Sequence, residues 1–107
     1  MKVMMRAIMK FLPGKMAEGM KLWDEMLATI KKKEKEYGPF PPVRKYTPWL
    51  GGGNAMHTII IEGEWDSLAQ MSAFFEKSMV DPEMMKTMPQ WEAVEESHEV
   101  ELYMVMP

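Results

Sequence analysis

The chain has 107 residues, 47% hydrophobic and 27% charged, the composition of one folded domain spanning residues 1–107 with its own core. It has no cysteine, which excludes disulfides, thiolate nucleophiles and cysteine-ligated metal centres. Thirteen Lys and Arg against sixteen Asp and Glu give a net charge of −3, which argues against a nucleic-acid partner, and no apolar run approaches the roughly 18 residues of a membrane span.

The first segment, Lys2 to Lys10, alternates. Val3, Met5, Ala7 and Met9 share one face; Met4, Arg6, Ile8 and Lys10 share the other. This predicts a strand with both faces at least partly covered. Lys2, Arg6 and Lys10 interrupt any leader-like apolar stretch, so a cytoplasmic location is expected. Pro13-Gly14 ends the strand. From Lys15 to about Glu36, Met16, Met20, Trp23, Leu27 and Ile30 recur at helical spacing. Lys31, Lys32 and Lys33 suit a helix C-terminus. They alternate with Glu34 and Glu36 soon after, and read as a solvated helix end. Gly38 and Pro39 stop the helix.

Val43 to Trp49 predicts a second strand. Pro48 cannot donate to a ladder, so it belongs at an edge. Gly51 to Asn54 reads as a turn, not a phosphate loop, because a strand follows it instead of a helix. Ala55 to Glu62, with three consecutive isoleucines, is the third strand. Ser67 opens a second helix through a capping box with Gln70. Leu68, Met71, Phe75 and Met79 form its stripe, with Phe74 beside it. Asp81-Pro82-Glu83 starts a further short helix that ends near Pro89. Trp91 to Glu96 fits either a helical turn or a loop. His98 to Met106 alternates as the last strand.

The order β-α-β-β-α-β specifies an α+β fold of the ferredoxin-like type. Its antiparallel sheet has order 4-1-3-2, with both helices on one face. The helix-facing set is Val3, Met5, Ala7, Met9, His57, Ile59, Ile61, Val100, Leu102 and Met104. The opposite set, Met4, Arg6, Ile8, Met56, Ile60, Tyr103 and Val105 with Thr58, is too apolar to be left in water. A second copy packed sheet to sheet with two-fold symmetry covers it. Arg6 then needs a partner, and pairing of the first and last strands brings Glu101 or Glu99 near it.

These features resemble the dimeric α/β-barrel superfamily, which includes antibiotic-biosynthesis-monooxygenase-like and NIPSNAP-like domains. The residues that carry the likeness are Phe11-Leu12-Pro13-Gly14 before the long helix and Gly63-Glu64-Trp65-Asp66-Ser67-Leu68 leading into the second. Asp81-Pro82-Glu83 and the alternating last strand complete it. The resemblance implies a homodimeric barrel of nearly the whole chain. Its relatives include oxygenases, haem-degrading enzymes, isomerases and sensors, so it leaves activity open. Haem-degrading relatives use a helix-borne histidine and an asparagine near the first strand. This chain has neither, and no cofactor is expected. The cofactor-independent oxygenases of the superfamily use polar pocket groups on polyaromatic substrates. Here the groups of that kind are His57, Arg6, Tyr46 and Tyr103, which form no motif by spacing.

His98 reads as a surface residue. Strand geometry sends it and Glu99 to opposite faces, so no metal site is expected from Glu95, Glu96, His98 and Glu99. His57 is the one polar side chain expected to point inward from mid-sheet. That defines a pocket lined by Met5, Trp23, His57, Phe75 and Met85, apolar walls with one convergent polar group. The competing expectation is plain close packing. Fifteen methionines are mainly packing devices, with Met84, Met85 and Met88 beside Trp91 as a soft lid. The expected function is a small dimeric domain that binds a small apolar molecule between sheet and helices. The alternative is a cofactor-independent monooxygenase-like enzyme acting on an aromatic or quinone-like substrate.

Overall fold

The computed structural model describes residues 1–50 and 55–107; the turn expected at 51–54 lies outside them. Nine alternating residues make β1 (Val3–Phe11), whose odd positions are the more deeply buried. It lies at the centre of an open four-stranded antiparallel sheet, paired with β3 (Thr58–Trp65) and β4 (Glu95–Met104), while β2 (Val43–Tyr46) pairs with β3. The order β2-β3-β1-β4 is the expected 4-1-3-2 plan. β2 is the edge strand, and it stops short of the expected Trp49 because Pro48 has no N–H to offer a ladder.

Between β1 and β2 run α1 (Met16–Lys32) and α2 (Glu34–Tyr37). A single helix to Glu36 was expected. Instead Lys33 leaves helical geometry, at φ −103° and ψ 21°, and the new turn carries Tyr37 into the core. Gly38, at φ 92°, ends α2 in a conformation that suits a residue without Cβ. After β3 come α3 (Leu68–Ser78), α4 (Pro82–Met85) and α5 (Met88–Val94). The expected cap of α3 is present: the Ser67 hydroxyl accepts from the Gln70 N–H at 3.0 Å. Gln70 Oε1 in turn accepts from Asp66 N–H at 2.9 Å, one residue before the usual target. Asp81 caps α4, accepting from Glu83 N–H at 2.9 Å. Pro89 begins a helix where it was expected to end one, since a first-turn proline has no N–H to lose. That settles Trp91 to Val94 as helix.

Two clusters fill the space between helices and sheet. One holds Met9, Phe11, Trp23, Ile59, Ile61 and Val94; the other holds Ile30, Tyr37, Trp65, Met71, Phe74 and, at its margin, Met5, Phe40, Phe75 and Met84. The α1 stripe is as expected. The α3 stripe is rotated: Met71, Phe74 and Ser78 are buried, whereas Leu68 and Met79 are exposed. Phe74 wins the inward position because its ring packs on Trp65 at 5.4 Å, Tyr37 at 5.7 Å and Phe40 at 5.1 Å.

Neither cluster takes a side chain from β4. Val100, Leu102 and Met104 lie on the helix side of the sheet by register with Ala7, Met5 and Val3. They are nevertheless 56%, 50% and 64% exposed. The expectation that helices cover this whole face is corrected: the helix layer is narrower than the sheet. Among the described residues no helix is long and apolar enough to cross a membrane.

Candidate functional site

The helix–sheet layer contains an apolar crevice. Leu27 and Ile30 of α1 face Phe40, Pro41, Pro42 and the first residue of β2, Val43, around a space of about 280 Å³, with Lys31 and Glu34 at its rim. Leu27 and Val43 pack on the first cluster and Ile30 and Phe40 on the second, so the crevice opens at the seam between them. Trp23 lies one helical turn before Leu27. The indole nitrogens of Trp23 and Trp65 are buried with no hydrogen-bond partner among the described residues, and the two side chains belong to residues only 6% and 1% exposed. A buried donor left unmatched costs about 1–3 kcal/mol. Each cluster therefore holds one N–H with unmet demand for an acceptor.

The residues expected to line a pocket are dispersed. Trp23 is in the first cluster; Met5 and Phe75 pack against the second. Met85 is exposed on α4. His57 is not in mid-strand: Ala55–His57 form a 3-10 turn and β3 begins at Thr58, three residues later than expected. His57 is half-buried at the sheet's end, outside both clusters. The isoleucine run caused the misplacement, because three identical apolar residues carry no alternation to fix a strand's ends. Ile59 and Ile61 do face the helices, as expected.

The open face has a polar centre. Arg6 Nε donates to Glu62 Oε1 at 2.8 Å, its Nη2 lies 2.7 Å from the same oxygen, and Nη1 is 3.7 Å from Glu101. Glu101 was an expected partner; Glu62, opposite Arg6 on β3, was not named. The Tyr103 ring lies under the Arg6 guanidinium at 5.2 Å, and its hydroxyl donates to Glu101 at 2.8 Å, which raises the pKa of the phenol. Lys10 reaches Glu96 at 3.2 Å and Lys2 reaches Glu64 at 3.3 Å. Around this centre lie Met4, Ile8 and Ile60, half-buried, with Val105 exposed. Met56 falls in the 3-10 turn, 83% exposed, rather than in the strand where it was expected.

A third cluster had no sequence signature beyond the Asp81 cap. Asp81 Oδ2 accepts from Tyr37 Oη at 2.6 Å and Lys33 Nζ at 2.7 Å; Lys33 also reaches Glu83 at 2.8 Å. The Lys33 hydrogen bond, then that from Tyr37, holds Asp81 down to about 2. Burial, then the bond to Asp81, pushes the Tyr37 phenol up to about 12. Lys33 is raised, chiefly by Asp81. Every shift favours the form already present at neutral pH, so the cluster is suited to clamping α4 to the α1–α2 junction and offers no group poised to exchange a proton. It borders a shallow depression of about 540 Å³ lined also by Glu36, Lys77, Val80 and Pro82. His98 lies at the surface, 3.4 Å from Glu95. Among the described residues no group of three or more His, Asp or Glu side chains is placed to hold a metal ion.

No protein-family model matches the chain, and no curated protein matches it. Solved structures do. A NIPSNAP family protein from Agrobacterium tumefaciens is 19% identical, with a TM-score of 0.76 over 99% of this chain and 94% of its own. An uncharacterised NIPSNAP domain protein from Burkholderia xenovorans is 22% identical, with a TM-score of 0.74 over 99% and 95%. A variant of SnoaB, a cofactor-independent oxygenase from Streptomyces nogalater, is 12% identical, with a TM-score of 0.66 over 99% and 94%. The fold is the one shared by NIPSNAP and monooxygenase-like domains. At these identities the likeness concerns fold alone.

Proposed function

We propose that the chain works as a homodimer, the open faces of two sheets packed together, and that each copy holds a small apolar molecule between helices and sheet. The observation that supports the ligand reading is the crevice of about 280 Å³ at the seam of the two clusters, walled by Leu27, Ile30, Phe40, Pro41, Pro42 and Val43. The Phe40, proline and aliphatic walls suit a flat apolar ligand. The entry lies at the β2 side of α1, away from His57. The dimer reading rests on Met4, Ile8, Ile60, Tyr103 and Val105, which share a face that no element among the described residues covers.

Calorimetric titration with 1,4-naphthoquinone tests the ligand reading. Saturable uptake of one molecule per chain is expected, weakened at least tenfold by Leu27→Lys at the crevice wall. Uptake that never saturates, or that Leu27→Lys leaves unchanged, overturns it. A second reading, a cofactor-independent oxygenase acting on an aromatic or quinone-like substrate, is favoured by the likeness to SnoaB. It predicts faster dioxygen consumption from a dihydroxynaphthalene with the protein than without. Equal rates leave ligand binding alone.

A further inference from the structure

The two edges of the sheet differ. β2 is four residues long, with Pro41 and Pro42 before it and Pro48 after it, and is blunted as sheet edges usually are. β4 is ten residues long and holds no proline. It ends the order β2-β3-β1-β4, so no strand among the described residues pairs with its outer side. Val105 N–H donates to Lys2 C=O at 3.0 Å. Along an antiparallel strand the backbone groups turn alternately toward and away from a neighbour. By register, Glu99, Glu101 and Tyr103 therefore turn theirs to β1, and Val100, Leu102 and Met104 turn theirs outward.

Those three residues are also the ones whose apolar side chains the helix layer leaves half-exposed. Each offers a sideways N–H and C=O together with an uncovered apolar side chain. On its open-face side the same edge carries Glu99, which has no ion-pair partner among the described residues, and Glu101, which Arg6 reaches at 3.7 Å. β4 contains four glutamates and no lysine or arginine. That charge repels a second β4 laid alongside and attracts a basic segment.

We infer that the outer edge of β4 takes up an extended peptide segment as a fifth strand, one in which apolar residues alternate with Lys or Arg. The segment's main chain pairs with the outward N–H and C=O groups of Val100, Leu102 and Met104, and its apolar side chains cover theirs. In an antiparallel pairing its cations fall opposite Glu99 and Glu101, in the closer pairs of the ladder, with Cα atoms about 4.5 Å apart. Main-chain bonds supply affinity in this mode of recognition, and the alternate side chains supply specificity. The edge lies beside the open face and across the sheet from the crevice at β2, so neither the homodimer nor the ligand reading enters.

Fluorescence anisotropy with a labelled Lys-Val-Lys-Val-Lys-Val-Lys peptide tests it, beside the block isomer Val-Val-Val-Lys-Lys-Lys-Lys and the acidic Glu-Val-Glu-Val-Glu-Val-Glu. The alternating basic peptide should bind saturably, at least tenfold more tightly than either of the others, and Glu99→Lys should weaken it at least threefold. Amide hydrogen exchange locates the peptide. The amides of Val100, Leu102 and Met104 should exchange fast in the free chain and at least tenfold more slowly with peptide bound; those of Glu99, Glu101 and Tyr103, turned to β1, should be slow in both. A block isomer that binds as tightly means attraction by charge alone and overturns the inference. So do binding that Glu99→Lys leaves unchanged and exchange at the three outward amides that the peptide does not slow. Outward amides already slow in the peptide-free chain would mean that a second copy occupies the edge, which overturns it as well.

Discussion

Gly19→Ala sets two rules against each other. Gly19 is in the interior of α1, where alanine is better than glycine by about 1 kcal/mol. An added Cβ, however, would stand inside van der Waals contact with three carbons of the Phe11 ring, two of them 2.6 Å away. Phe11 is 0% exposed and enclosed by Met9, Trp23, Ile59, Ile61 and Val94, so the ring has no free space to enter. Overpacking of this kind costs about 1–3 kcal/mol. With a rigid ring in a closed cluster, the upper end applies, and the net loss is about 2 kcal/mol. For a chain of this size that lowers the midpoint of thermal unfolding by roughly 10 °C. Scans at one fixed protein concentration measure it. The double variant Phe11→Leu with Gly19→Ala should lose less than the sum of the single changes, since the two residues share one contact. A Gly19→Ala chain as stable as the wild type, or more so, would refute the packing of α1 on β1 described above.

Ser67→Ala removes an N-cap hydroxyl and should lower stability by about 1 kcal/mol in chemical denaturation; an unmoved midpoint contradicts the cap. Asp81, held at about 2 against an ordinary 3.8, contributes stability that is present above pH 3.8 and lost as pH falls through 2. Glu83, lowered chiefly by Lys33, acts in the same direction. Asp81→Asn should therefore weaken the fold at neutral pH and flatten its acid dependence, read from denaturation midpoints between about pH 2 and 5. His98 is raised by its bond to Glu95, so its contribution is present below the ordinary 6.5 and lost as pH rises through its folded value. Glu95→Gln should abolish that loss in the same assay.

The periodicity of Val3 to Met9, of the α1 stripe and of the last strand carried the topology, because each repeat matches one regular structure. The caps at Ser67 and Asp81 were legible for the same reason: one side chain serves an N–H two or three residues away. The break at Lys33 was not, since Lys33 to Glu36 are all good helix formers and only tertiary packing of Tyr37 turns the chain. Tyr37, Lys33 and Asp81 meet across 44 and 48 residues, a distance that local pattern does not span. The Arg6–Glu62 pair needed the register of β3. That strand was expected to start at Ala55, three residues ahead of Thr58, and Glu62 was missed as the partner of Arg6. The same error sent His57 to mid-sheet and hid the crevice on the other side of α1, whose Phe40-Pro41-Pro42 wall reads in sequence only as a helix stop.

The homodimer reading is tested most directly by the solution mass of the wild-type chain beside that of Ile8→Asp, measured by light scattering at micromolar concentration. Ile8 lies on the open face, away from both core clusters, so an aspartate there strikes what covers that face. It also stands opposite Glu99 on β4, so retained far-UV circular dichroism shows that the single chain stays folded. The expected result is twice the 12.5 kDa of one chain for the wild type and a single chain mass for the variant. A wild-type mass of one chain, or a variant that keeps the doubled mass, would contradict it.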